Sequence, residues 1–134
     1  MLQHVLRLAV IDDDDITRSL QLRLEHSGFE VCRARNGKEG MRLALEWLPD
    51  AVVTDLVLPD GEGMFVLNQL KAHDETKSIP VIVLTGQGYE AIKRQVLQGG
   101  TAAYLTKPVN FGELLQSLKM QIKEAQVVKQ LAHA

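Results

Sequence analysis

The 134-residue sequence carries a single cysteine, Cys32, so no intramolecular disulfide can form and a reducing compartment is the expected setting. Cys32 itself reads as a small core residue. No apolar run approaches the roughly 20 residues of a membrane span, and no apolar segment near the N-terminus is backed by a small-residue cleavage site. The expectation is a cytoplasmic chain with no membrane contact. Positive charge is not in excess either, since Lys and Arg number 15 against 17 Asp and Glu, a formal net charge of -2. That removes the electrostatic case for nucleic-acid binding by this domain. The four histidines, His4, His26, His73 and His133, lack metal-ligand spacing and read as solvated surface. Internal repeats and low-complexity segments are absent. What remains, 46% hydrophobic and 24% charged residues over a length suited to one core, describes an ordinary single globular domain.

Within that frame one segment stands out. The apolar run Leu8-Ala9-Val10-Ile11 passes directly into four carboxylates, Asp12 to Asp15. Like charges so close repel unless a cation neutralises them, and a hard dication with oxygen ligands is suited to do so. A Mg²⁺ site is one reading. A solvated acidic turn at a helix N-terminus is the other, and it suffices for Asp14 and Asp15. Two further apolar runs end in matching chemistry, Ala51-Val52-Val53-Thr54 in Asp55 and Val81-Ile82-Val83-Leu84 in Thr85. Three strand ends would then share one pocket, with Asp12, Asp13 and Asp55 within reach of one small cation.

Apolar runs of four or five residues alternate with stretches of helical period, the signature of a parallel sheet covered by helices on both faces. Strands are expected at Leu6 to Ile11, Glu30 to Ala34, Ala51 to Thr54, Val81 to Leu84 and Ala102 to Leu105. Between them, Ile16, Leu20 and Leu24 mark a helix that Gly28 can end, and Asn36-Gly37 a turn. Met41, Ala44, Leu45 and Leu48 mark a second helical face, ending before Pro49. Met64, Leu67 and Leu70 follow a Pro59-Asp60-Gly61 loop, and Ile92 and Val96 hint at a fourth helix before Gly99-Gly100. A last helix runs from about Phe111 to near the C-terminus. In such sheets ligands bind outside the carboxyl ends of the strands, where the polar residues named above fall.

Three carboxylates around one dication leave the pocket negative, so a cation must accompany any phosphoryl group. Lys107 supplies it, placed directly after the fifth strand in Tyr104-Leu105-Thr106-Lys107-Pro108, and the Lys107-Pro108 bond is a candidate for the cis form. Thr85 offers a hydroxyl donor, although β propensity alone also explains a threonine at a strand end. Metal, cationic clamp, donor and in-line nucleophile are the parts that phosphoryl transfer demands. Asp55 would be the nucleophile, forming an acyl phosphate.

Val10-Ile11-Asp12-Asp13, Asp55 with Pro59 and Gly63 beyond it, Val83-Leu84-Thr85, and Tyr104 through Lys107-Pro108 together resemble the receiver domain of two-component response regulators. The resemblance covers nearly the whole chain. It implies a flavodoxin-like (βα)5 fold with strand order 2-1-3-4-5. It further implies Asp55 as phosphoacceptor, Asp13 as a direct Mg²⁺ ligand, Asp12 as a ligand mainly through water, and the Val57 backbone carbonyl as a further ligand. Thr85 and Lys107 would contact the phosphoryl oxygens, and Tyr104 would turn inward as Thr85 is drawn to the phosphate. The implied partner is a sensor histidine kinase or a histidine phosphotransfer protein. Gly86 stands where the family often has alanine, and Asp15 where proline is frequent; neither removes a reactive group.

Two other classes fit parts of the sequence. Asp13-Asp14-Asp15-Ile16-Thr17 matches the nucleophile loop of haloacid-dehalogenase phosphohydrolases, which would make Asp13 the nucleophile. That family also needs a late acidic pair at a strand end, and after Lys107 only Glu113 and Glu124 remain, both on the last helix. A pseudo-receiver docking module is the third reading, against which the intact Asp13, Asp55, Thr85 and Lys107 argue. Trp47 is expected at a helix edge, and Met41, Met64 and Met120 as gap fillers. Residues 1-124 form the expected receiver domain. In 125-134, Val127, Val128 and Leu131 continue an apolar face, which reads as the start of a linker to an output domain, a homodimerising helix, or a frayed tail.

Overall fold

The computed structural model describes residues 4–13, 16–56, 63–86, 97, 98, 100 and 103–132. Expectations that fall on Asp14, Asp15, Val57, the Pro59-Asp60-Gly61 loop, Ile92, Val96, Gly99, Ala102 and His133 lie outside the described residues.

Five strands, β1 (Arg7–Ile11), β2 (Glu30–Ala34), β3 (Ala51–Asp55), β4 (Val81–Thr85) and β5 (Ala103–Thr106), form one parallel sheet in the order β2-β1-β3-β4-β5. Each begins and ends within one residue of the apolar run that announced it. Among the described residues the helices are α1 (Ile16–His26), α2 (Gly37–Trp47), α3 (Gly63–Ala72) and α4 (Phe111–Ala132).

Side chains alternate across a strand, so a strand covered on both faces is apolar throughout. Ala9, Ile11, Val52, Val81 and Val83 pack on one side with Met41 and Ala44 of α2 and Val66, Leu67 and Leu70 of α3. Leu8, Val10, Ala51, Val53, Ile82 and Leu84 pack on the other with Leu24 of α1 and Leu114, Leu118 and Ile122 of α4. The sheet is therefore a rigid plate with helices on both faces, and carboxylates and hydroxyls from several strands lie at its polar end.

Local chemistry sets the helix ends. Gly28, at φ 102, closes α1, and the Phe29 N–H reaches back to the Leu24 carbonyl at 3.2 Å. Asn36-Gly37, expected as a turn, instead starts α2: the Asn36 side chain accepts from the Glu39 N–H at 2.9 Å, while Glu39 accepts from the Arg35 N–H at 3.0 Å. The far end of α2 corrects the expected apolar face. Leu48 caps the helix in the left-handed conformation at φ 48, which swings its side chain off the buried stripe. Leu45 and Leu48 are exposed, and Gly37, Gly40, Met41 and Ala44 make the buried face.

Other expectations divide. Trp47 packs partly on the core, with the Arg7 guanidinium 5.1 Å over its ring, and Met41 and Met64 fill the core as expected. Met120 does not, because it lies on the outer face of α4 and is half exposed. His4 is exposed yet meets Asp50 at 3.1 Å, and His73 is half-buried with Nδ1 2.8 Å from the Gln69 carbonyl. Cys32 is half-buried, and burial, then the Glu30 charge, push its thiol pKa up against a smaller effect of Arg7.

Gly63 opens α3 against the end of β3, so closely that a Cβ there would run into the carbonyl oxygen of Leu56. Backbone cannot give way as a side-chain tip can. Gly63→Ala is expected to lower unfolding free energy by about 1–3 kcal/mol through overpacking, measured as a fall in the urea midpoint at unchanged slope.

Candidate functional site

The parallel registers carry the ends of β1, β3, β4 and β5 to one edge. Ile11 pairs with Thr54, Asp55 with Leu84, and Thr85 with Thr106, so the residues just beyond those pairs gather there. The Leu56 N–H donates to the Leu84 carbonyl at 3.1 Å and the Lys107 N–H to the Thr85 carbonyl at 2.7 Å. These bonds extend the ladder past the last strand residue and hold the reactive side chains on fixed backbone. The Lys107-Pro108 peptide is cis.

At the centre of the edge, the Lys107 ammonium donates to Asp55 Oδ2 at 2.7 Å and to Asp12 Oδ2 at 3.1 Å. All three side chains are largely removed from solvent, with relative exposures of 25% for Lys107, 12% for Asp55 and 5% for Asp12. Burial of the amine works against its charge. Hydrogen bonds to Asp55 and Asp12, together with their negative charge, outweigh that cost and hold the Lys107 pKa above its ordinary value of 10.5. One lysine thus joins two carboxylates that lie 95 and 52 positions away in sequence.

Thr85 is fully buried at the end of β4, and its hydroxyl oxygen has no hydrogen-bond partner among the described residues. A buried hydroxyl without a partner is costly, so such groups point to a ligand or a changed state. Tyr104, opposite Val83 in the β4–β5 register, is half-buried and packs against the α2–α3 side of the core. Asp13, next along from Asp12, is exposed. Among the described residues no group of three or more His, Cys, Asp or Glu side chains converges as a metal cluster. Val57 lies outside the described residues. Of the expected site residues, the structure therefore brings Asp12, Asp55 and Lys107 into contact, sets Thr85 beside Lys107 through the backbone, and leaves Asp13 exposed. Glu113 and Glu124 are both exposed residues of α4 and neither ends a strand.

One residue at this edge was not singled out by the sequence. Arg33 of β2 donates from Nε to the Asp12 backbone carbonyl at 3.2 Å. An arginine inside a short strand beside the acidic run was the available signal, but only the β1–β2 register places it there.

The sequence profile of the response regulator receiver domain matches residues 8–119. The chain is 34% identical over 117 residues to the polar-differentiation response regulator DivK of Brucella anthropi, covering 87% of this chain and 95% of DivK. It is also 34% identical over 127 residues to the DNA-binding dual master transcriptional regulator RpaA of a Synechocystis strain, covering 94% of this chain and 53% of RpaA. The crystal structure of a response regulator receiver domain protein from Clostridium thermocellum superposes with a TM-score of 0.85 at 31% identity, covering 92% of this chain and 98% of that one.

The lysine bridge has a pH signature. A raised folded-state pKa stabilises fully below the unfolded value and is lost as pH rises through the folded one. In metal-free buffer at pH 7, Lys107→Met is expected to cost about 3 kcal/mol, the low end for breaking a buried pair because the amine keeps some exposure. The wild-type-minus-variant difference in urea unfolding should stay level from pH 7 to about pH 9 and shrink only above the ordinary lysine pKa of 10.5. Shrinkage that is already complete by about pH 9 would contradict the raised pKa.

Proposed function

Since the chain belongs to the response regulator receiver domain family of two-component systems, we propose that it takes a phosphoryl group from a phosphohistidine onto Asp55 and later releases it by hydrolysis. The observation that carries this reading is the Lys107 ammonium shared between Asp55 and Asp12, one strand away from the Thr85 hydroxyl, which has no partner among the described residues. An Asp55 carboxylate oxygen forms the new O–P bond as the P–N bond to the donor imidazole breaks, the electron pair leaving on nitrogen. Lys107 and Thr85 then donate to phosphoryl oxygens, which gives the buried Thr85 hydroxyl a partner. In hydrolysis, water attacks the phosphorus and Asp55 leaves as the carboxylate. The domain acts on itself and is a signalling module, with no separate substrate turned over.

The donor set suits Mg²⁺. It offers the carboxylates of Asp12, Asp13 and Asp55, whose three charges one lysine cannot neutralise. Asp13, Asp55 and the Val57 carbonyl would hold the ion directly and Asp12 mainly through water. The bound ion would supply charge neutralisation and orientation for the incoming phosphoryl oxygens.

Phosphorylation would switch the domain because the new dianion draws the Thr85 hydroxyl and frees room into which Tyr104 turns. The proposed partners are a sensor histidine kinase or histidine phosphotransfer protein, acting in the cytoplasm, with no nucleic acid bound by this domain. We read residues 1-124 as the receiver and 125-134 as a helical extension. Past Ile122 the helix buries no further residue and presents Val127, Val128 and Leu131 to solvent, as the start of a linker to an output domain or a homodimer contact would. The dehalogenase-type and pseudo-receiver readings are not favoured. The first lacks its late acidic pair, and the second leaves the shared lysine without a use.

With Mg²⁺ and acetyl phosphate, intact-mass spectrometry is expected to find one alkali-labile phosphoryl group on the wild type and none on Asp55→Asn. An adduct that survives Asp55→Asn but is lost in Asp13→Asn would instead support the hydrolase. Absence of any adduct despite bound Mg²⁺ would support a docking module.

A further inference from the structure

We propose that Arg33 is a positioning residue for the acidic end of the site, holding the Asp12–Asp13 peptide in the orientation that a divalent cation requires; this rests on the Mg²⁺ reading above. The β1–β2 ladder has its last pair at Ile11 and Ala34. Beyond it the Asp12 N–H still donates to the Ala34 carbonyl at 2.9 Å. The Arg33 side chain reaches the other polar group of the same residue, donating from Nε to the Asp12 carbonyl at 3.2 Å. Arg33 lies opposite Val10 and on the same face as Val31, the α1–α4 side of the sheet, and its head reaches the strand end.

Consecutive residues of β2 therefore hold both backbone polar groups of Asp12, while Lys107 holds its carboxylate. The consequence falls on the next residue. The Asp12 carbonyl, the Asp13 N–H and the Asp13 Cα belong to one planar peptide, so fixing the first fixes the position of the Cα from which the Asp13 side chain departs. Mg²⁺ demands near-ideal octahedral geometry, and groups that orient ligands from behind typically alter metal affinity by about 10–100-fold when lost.

Arg33 is also a cation near a cation site, and that role alone would predict the opposite sign. If charge dominates, removing the guanidinium tightens Mg²⁺ binding and a lysine in its place changes nothing. If positioning dominates, removing it weakens binding even though a repulsive charge has gone.

The test is a MgCl₂ titration of the full chain followed by amide NMR shifts, for wild type, Arg33→Met and Arg33→Lys, with urea unfolding to confirm that each variant is folded. Arg33→Met is expected to bind about tenfold more weakly, with Arg33→Lys between it and wild type. Arg33→Gln, which keeps a donor without charge, replaces the Met variant should that one fail to fold, and is expected to bind more tightly than Arg33→Met and more weakly than wild type where both can be measured; as the replacement, it is expected to bind more weakly than wild type. Equal or tighter binding by the uncharged variants overturns the positioning assignment while leaving the Mg²⁺ reading intact. A wild type that shows no Mg²⁺ response overturns both.

Discussion

Everything at the polar edge of this sheet depends on one ammonium group shared by two buried carboxylates. Asp12 and Asp55 end adjacent strands, and bringing them together without a cation would set two desolvated like charges side by side. Lys107, delivered from the far side of the sheet, makes the arrangement tolerable. It neutralises only one of the two charges, so the site stays receptive to a further cation. Under the proposed function the same amine would serve an anion on Asp55, since its hydrogen bonds can be passed to new oxygens without moving the backbone that carries it.

That economy requires a rigid frame, and the two-sided core supplies it. Alternate residues of every central strand are locked between α2 and α3 on one face and α1 and α4 on the other, so the strand ends cannot drift relative to each other. The close approach of Gly63 to Leu56 belongs to the same frame, because it fixes where the chain resumes beyond Asp55. Against this stiffness, Thr85 is the one described side chain with a buried polar atom left wanting, and it sits next to the group whose chemistry would satisfy it.

The sequence was most legible where burial leaves least choice. Val81-Ile82-Val83-Leu84 is apolar because both faces are covered, and such a run can hardly be anything but a central strand. The order of the strands came from the family resemblance, since periodicity says which segments are strands but not which are neighbours. Asp55, Thr85 and Lys107 were visible because each stands at the end of a strand-like run. Less legible was whatever depends on a single dihedral or on register. Leu48 looked like core until its left-handed conformation turned it outward, Asn36 looked like a turn because capping and turning use the same residues, and Met120 could not be assigned to a helix face from hydrophobicity alone. Arg33 shows the limit most clearly, for nothing in Glu30-Val31-Cys32-Arg33-Ala34 tells how far its guanidinium reaches until β2 is laid against β1.

The distance in sequence between Lys107 and Asp12, 95 positions, bears on how the protein is made. Contacts that close such long loops form late, because their entropy must be met before they contribute anything. A chain emerging from the ribosome exposes its acidic strand end and Asp55 well before β5 can dock and bring the lysine. Until then the two carboxylates are a solvated pair without their shared ammonium. Under the proposed function, competence to receive a phosphoryl group would therefore coincide with completion of the sheet.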